Sequence, residues 1–163
     1  MKIEKCSKWD GRFFSVCSLV ASWSEDPSRK VGCVLVGGAK EIIATGYNGL
    51  PRGVSHSDTS RFSREGGEKY KWFEHAERNA IFNAARVGVS LNGSTMYCSS
   101  FPCAHCARAI IQSGIKEIKT FEYEKDDPRF GDEFPVSEKM FEEAGVTVRI
   151  YSSTDELITQ IST

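Results

Sequence analysis

Apolar positions recur along the chain with two periods, and segments of each kind alternate. Between residues 8 and 23, Phe13, Val16, Cys17, Val20 and Trp23 fall near a repeat of about 3.6 residues, which predicts an amphipathic helix. Ser24-Glu25-Asp26-Pro27-Ser28 breaks that pattern. Residues 31–36 are β-branched and apolar and read as a buried strand. Gly37-Gly38 turns the chain, and residues 41–46 read as a second strand, so the two form a hairpin. Residues 46 to 73 are a long polar stretch; inside a compact domain such a length marks a functional or mobile loop.

Beyond it, helix and strand alternate. Residues 75–87 read as an Ala-rich helix closed by Gly88, and 95–98 as a short strand. A helix from Pro102 through Ile111 stops at Ser113-Gly114, with Pro suited to a first turn and Gly to an end. Residues 115–121 form the next strand, followed by a loop around Asp126-Asp127-Pro128-Arg129. Residues 137–144 form a helix ended by Gly145, and 146–151 a last strand. The tail reads as a frayed helix. Strands joined through helices pair in parallel, so the prediction is an α/β fold: a mixed sheet, antiparallel at its start, with helices on both faces.

With 163 residues, the chain suits a single domain, 1–163, able to bury a core without disulfides. Hydrophobic residues make up 40% and charged residues 26%, which excludes disordered and fibrous classes. Apolar runs are too short to span a bilayer, so no membrane partner is expected. The start, Met1-Lys2-Ile3-Glu4-Lys5-Cys6, has no apolar signal core. A cytoplasmic protein is expected, in the host's cytoplasm for a viral chain. Lys plus Arg total 21 and Asp plus Glu 22, a balance that favours a small substrate over nucleic acid.

Six cysteines and three histidines limit the ligand supply for a metal. His75-Ala76-Glu77 and Pro102-Cys103-Ala104-His105-Cys106 sit at two helix starts. Zinc takes imidazole and thiolate in four-coordinate sites, and a catalytic site leaves one position open for water. Cys103 and Cys106, at i and i+3, share a helix face, where the positive end of the helix dipole favours thiolate. His75 completes a three-ligand set. Glu77, two residues on, faces elsewhere and is free to reach the water. Two thiolates and a neutral imidazole cancel the charge of Zn2+, so a carboxylate base is needed beside it, and Glu77 fits that role.

Cys-x-x-Cys alone also suits a redox dithiol, which has no need of His75 and Glu77, or half of a structural zinc site, which needs a fourth protein ligand. His105 and His56 read as surface residues. Cys6, Cys17 and Cys33 read as small core residues.

The His-x-Glu…Pro-Cys-x-x-Cys pattern resembles that of zinc deaminases of nucleobases. Within that superfamily the chain resembles deoxycytidylate (dCMP) deaminases over roughly residues 8–150. The resemblance rests on Asp26-Pro27 before Val31-Gly32-Cys33-Val34, on Gly46-Tyr47-Asn48-Gly49-Leu50-Pro51-Arg52-Gly53, and on Lys69-Tyr70. It continues in His75-Ala76-Glu77-Arg78-Asn79-Ala80-Ile81, in Phe101-Pro102-Cys103-Ala104-His105-Cys106-Ala107, and in the stretch from Ile110 to Glu117.

The resemblance implies a three-layer α-β-α fold with a five-stranded mixed sheet, a catalytic zinc, and hydrolysis of dCMP to dUMP and ammonia for thymidylate synthesis. It makes His75, Cys103 and Cys106 the zinc ligands and Glu77 the proton shuttle. It implies a sugar contact from Asn48 and an aromatic lining from Tyr123. Backbone near Ala76, Ser100 and Phe101 would read the pyrimidine edge. The turn from Ser24 to Lys30 is the implied phosphate side, with Arg29 or Lys30 as contacts. Tyr47, Gly49 and Arg86 are implied in regulation or subunit contact. A homo-oligomer is implied, with dCTP and dTTP as effectors and Mg2+ alongside a regulatory nucleotide. No His lies between 57 and 74, which argues against the second, structural zinc of some viral relatives. Rival readings are a zinc deaminase of modified dCMP, dCTP, cytidine or a transfer-RNA adenosine, and a non-catalytic zinc-stabilised interaction domain.

Overall fold

A computed structural model of the chain describes residues 3–152; the predicted tail helix lies outside them. Helix α1 (Lys8–Ala21) precedes strands β1 (Gly32–Val36) and β2 (Ile42–Tyr47). Two 3-10 turns and a short helix, α2 (Lys69–Trp72), occupy much of the long polar segment. Then follow α3 (Ala76–Val87), β3 (Thr95–Cys98), α4 (Ala104–Gln112), β4 (Glu117–Phe121), α5 (Phe134–Glu143) and β5 (Thr147–Tyr151). The sheet order is β2-β1-β3-β4-β5. β1 is antiparallel to both β2 and β3, while β3–β4 and β4–β5 are parallel. The sheet is therefore mixed, as expected, with β1 running against the other four strands.

Strand alternation sends the sheet's side chains into two layers. Val34, Val36 and Tyr97 meet Phe13, Phe14 and Cys17 of α1 on one face. Cys33, Leu35, Met96, Cys98 and Ile118 meet Ala76, Ala80, Ala84 and Ile110 of α3 and α4 on the other. Phe134 of α5 packs with Phe101 and Ile150 on this second face. All five residues of β1 are buried, as befits a central strand. The far edge, β5, is partly covered by the N-terminal segment, where Glu4 N–H donates to Ile150 O at 2.7 Å.

Local chemistry sets the boundaries. Ser7 and Asp10 cap α1 reciprocally, Ser7 Oγ accepting from Asp10 N and Asp10 Oδ2 from Ser7 N. α1 stops at Ala21, two residues earlier than the apolar pattern suggests. Three i→i−3 bonds tighten the chain at Ser22, Trp23 and Ser24, and leave Trp23 exposed at 55%. α4 starts at Ala104, because Cys103 holds an extended backbone as N-cap, so Pro102 precedes the helix. α5 starts at Phe134, three residues before its predicted start, with Pro135 in its first turn. Gly88 closes α3 in the left-handed region at φ 73°. Cys17 and Cys33 are core residues, whereas Cys6 is only partly buried. Among the described residues no helix is long and apolar enough to cross a membrane.

Candidate active site and metal centre

Two helix starts meet on the α3–α4 side of the sheet. His75 is the N-cap of α3 and Cys103 the N-cap of α4, and neither makes a side-chain capping hydrogen bond. Both positions are ones where Ser, Thr, Asp or Asn would ordinarily serve the helix. Here the cap side chains turn toward each other instead. His75 Nδ1 lies 3.5 Å from Cys103 Sγ and 3.4 Å from Cys106 Sγ. All three donor atoms lie within 4.8 Å of one another, the one such cluster among the described residues. Zinc–nitrogen and zinc–sulfur bonds at tetrahedral angles give a nitrogen–sulfur edge of about 3.6 Å, so the trio fits Zn2+ closely. Its soft thiolates and imidazole are the donor set zinc prefers.

The environment keeps these donors ready. Cys106 donates to the Cys103 sulfur, which together with His75 pushes the Cys103 thiol down to about 3. The same bond and deep burial push Cys106 up. Burial pulls His75 down, but the Cys103 sulfur and Glu77 outweigh it, and its net shift is upward. Glu74 accepts the His75 backbone N–H at 2.9 Å and pairs with Arg78, fixing the entry to α3. Glu133, the N-cap residue of α5, accepts Ala104 N–H at 3.2 Å where a cap would otherwise sit on α4.

Glu77 lies one residue into α3, is only 4% exposed, and lines the same cavity as His75 and Cys103. Burial raises its pKa, with Cys103 adding to the rise and His75 opposing it. A carboxyl whose charge is resisted by burial holds and passes a proton near neutral pH more readily than a solvated one.

Above this floor opens a cleft of about 720 Å³ counted to its open mouth, a size typical of small-molecule sites. Ala76, Ser100 and Phe101 border the floor. Tyr70, Phe73 and Phe130 form an aromatic wall, and Phe130 meets His75 edge-on with ring centroids 5.6 Å apart. The rim is cationic: Arg29, Arg64 and Arg129 line it, and the Lys69 ammonium is buried in the wall. Arg29 donates to Asp127 at 2.6 Å, tying the turn before β1 to the loop after β4 across the mouth. Asp127 in turn accepts Arg129 N–H and Phe130 N–H, both at 2.9 Å, which sets Phe130 against the site.

Of the residues the sequence nominated, His75, Glu77, Cys103, Ala76, Ser100, Phe101, Asn48 and Arg29 share this cavity, with Cys106 directly behind it. Three do not reach it. Ser24 is buried beneath the chain, its Oγ donating to Asn48 O at 2.7 Å. Lys30 points into solvent. Tyr123 packs on Phe101 and Phe134 and donates to Glu138, because its position after β4 faces α5, and Phe130 takes the wall instead. Tyr47, Gly49 and Arg86 cluster elsewhere, in a hollow on the outer side of α3 with Arg52 and Phe82. His105 and His56 are exposed surface residues, His105 beside Arg108 and His56 beside Glu25.

No chemical signal along the chain singled out Arg64, Asp127 or Phe130. They belong to loops whose placement depends on the whole fold. Asp26 and Lys69 stood out only as parts of family signatures, yet both are buried on the cavity wall.

The model of the cytidine and deoxycytidylate deaminase zinc-binding region matches residues 7–122. A protein described as an uncharacterized deaminase in the luxG 3' region of Aliivibrio fischeri is 44% identical over 144 residues, covering 87% of this chain and 92% of that one. Deoxycytidylate deaminase of Homo sapiens is 37% identical over 146 residues, covering 87% of this chain and 79% of the relative. The crystal structure of dCMP deaminase from the cyanophage S-TIM5, in complex with dCMP and dUMP, superposes with a TM-score of 0.70 at 25% identity. It covers 90% of this chain and 99% of that one. Sequence match, sheet order and donor geometry agree, and the chain belongs to the cytidine and deoxycytidylate deaminase zinc-binding family.

Proposed function

We propose that the chain, working as one dCMP-type deaminase domain in the cytoplasm, hydrolyses dCMP to dUMP and ammonia. The observation that carries this reading is the buried Glu77 carboxyl beside a three-donor zinc set, at the base of a cleft with a cationic rim. Keeping a carboxylate there for packing alone would be costly. The likeness to named deoxycytidylate deaminases supports the choice of substrate.

His75, Cys103 and Cys106 would hold Zn2+, which supplies Lewis acidity that makes water nucleophilic near neutral pH. Glu77 accepts the proton that the attacking water gives up and delivers it to N3 of the cytosine; it then takes the second proton from the hydroxyl now on C4 and passes it to the amino nitrogen, so that the C4–N bond breaks, ammonia leaves and the C4 carbonyl forms. The first-turn N–H of α3 at Ala76 receives no cap from the His75 side chain and is available to the pyrimidine carbonyl. Backbone at Ser100 and Phe101 reads the other edge, and Phe130 stacks near the ring. The cationic rim takes the phosphate. The reading extends to a homo-oligomer with dCTP and dTTP, accompanied by Mg2+, as effectors at the hollow of Tyr47, Gly49 and Arg86, where Arg52 and Arg86 supply positive charge.

The test is ammonia release from cytosine nucleosides and mono-, di- and triphosphates, modified dCMP included, each with and without dCTP and dTTP. Fastest release from dCMP supports the reading. Release from no cytosine nucleotide by zinc-loaded protein sinks it.

A further inference from the structure

The N-cap side chains of α3, α4 and α5 all turn away from their own helices. His75 and Cys103 turn theirs to the donor cluster. The third is Glu133, and its carboxylate serves α4 instead of α5. Oε2 accepts Ala104 N–H at 3.2 Å, across 29 positions of the chain. Ala104 is the first residue of α4, and the peptide that carries this N–H joins it to Cys103. A first-turn N–H has no partner within its helix, and the positive end of the helix favours an anion there. Oε1 faces Arg129 Nη1 at 3.5 Å, a pair open to solvent that contributes little.

The backbone of Glu133 holds the other side of the cluster. Glu133 N–H and Phe134 N–H donate to Phe130 O at 2.9 and 3.1 Å. The Phe130 ring rests edge-on against His75, with centroids 5.6 Å apart. Glu133 O accepts Ser137 N–H at 3.0 Å and Ser137 Oγ–H at 3.1 Å, which ties the residue to a fully buried side chain of α5. One residue therefore braces both sides of the donor trio, reaching Cys103 through Ala104 and His75 through Phe130. On α3 the comparable bond, Glu74 to His75 N–H, comes from the neighbouring residue; on α4 it has to come from another helix.

We propose that Glu133 is a positioning residue of the metal centre: its carboxylate fixes the Cys103–Ala104 peptide, and with it the direction in which Cys103 presents Sγ. The position demands reach rather than charge, because an acceptor oxygen has to cross from α5 to α4. Partners that hold metal ligands from behind are worth about 10- to 100-fold in metal affinity. The proposal rests on the reading of His75, Cys103 and Cys106 as zinc ligands.

The test uses the full chain loaded with Zn2+ or with Co2+, whose visible absorption reports the geometry of a thiolate site. Glu133→Gln keeps an acceptor oxygen at the same reach. Glu133→Asp keeps the charge but is one methylene short of Ala104. Glu133→Ala keeps neither. Zinc retention against a chromogenic chelator should stay within about threefold of wild type in Glu133→Gln. It should fall about tenfold or more in Glu133→Asp and Glu133→Ala. The cobalt bands should match wild type in Glu133→Gln and shift in the other two. On dCMP, kcat should fall in the same order, with KM within about twofold. Asp10→Asn, on the opposite face of the sheet and bonded to Tyr97 and Lys119, separates general destabilisation. It should lower the melting temperature and leave the cobalt spectrum unchanged. Should Glu133→Ala fail to fold, Glu133→Asp carries the test, since it alters reach alone. Wild-type zinc retention and cobalt bands in Glu133→Asp, or a loss in Glu133→Gln as large as in Glu133→Asp, overturns the assignment. Wild-type protein that holds neither ion would instead remove the metal reading itself.

Discussion

His75 Nδ1 stands 3.5 Å from Cys103 Sγ, and each of these residues is the N-cap of its own helix. The metal centre is thereby built from the two places where a helix most needs an outside partner. Binding of zinc and docking of α3 against α4 become one event, so metal affinity appears as folding stability. Cys103→Ser and Cys106→Ser should each reduce bound zinc from about one per chain to near none, measured by elemental analysis after purification without chelator. Their melting temperatures should fall to that of the chelator-treated wild type. A full zinc complement in either variant would contradict the assignment.

Glu77 should separate from the ligands in its effect. Glu77→Gln keeps the shape of the side chain and removes the proton carrier, so zinc content and melting temperature should stay near wild type. Turnover should drop by about 10²- to 10⁴-fold, read as ammonia release under saturating dCMP.

The rim offers a prediction about charge. Arg64 lines the cleft and, among the described residues, makes no ion pair with a carboxylate. Arg129 stacks on Tyr70 and Phe130 beside it. Arg64→Ala and Arg129→Ala should each raise KM for dCMP by about tenfold with kcat within about twofold, the size of one charge-assisted hydrogen bond. Activity on deoxycytidine, which has no phosphate, should not change.

On the opposite face of the sheet, Asp10 governs acid stability. Burial opposes its charge, but Lys119, Ser7 and Tyr97 all donate to it and bring its pKa down to about 2. A depressed folded-state pKa gives stability that is present above the unfolded value, about 4, and is lost as pH falls from there toward about 2. The difference corresponds to about 2–3 kcal/mol. Asp10→Asn should lower stability at pH 7 and flatten the decline between about pH 4 and pH 2, followed by urea unfolding across that range.

Close packing behind the site yields the last expectation. A Cβ on Gly46 of β2 would fall 2.3 Å from Ala76 O and 2.4 Å from Ala80 N, both rigid backbone. Gly46→Ala must therefore push the first turn of α3 off the sheet and carry His75 and Glu77 with it. A loss of about 3 kcal/mol in stability, with weakened zinc retention, should show in thermal unfolding and in chelator competition.

These residues also mark how far the chain could be read in advance. His75, Glu77, Cys103 and Cys106 were legible because each pair lies within a single helical turn, where spacing dictates geometry. The parallel half of the sheet was legible because helices separate its strands. The antiparallel β1–β3 pairing carries no local mark, since 58 residues separate the two elements. The walls of the cleft were obscure for the same reason. Arg29 meets Asp127 across 98 positions, and only the folded chain sets Phe130, rather than Tyr123, against His75. Asp26 looked like part of a turn because two of its four partner residues, Asn48 and Lys69, belong to segments far along the chain.

The metal donors and Glu77 stand on caps and first turns locked to the sheet, whereas Arg29, Arg64, Asp127 and Phe130 stand on connecting segments. On the proposed reading, reaction and selectivity are carried by different kinds of backbone. Exchanging the connections before β1 and after β4 for those of another family member should redirect which nucleotide is accepted while the hydrolytic machinery beneath continues to run.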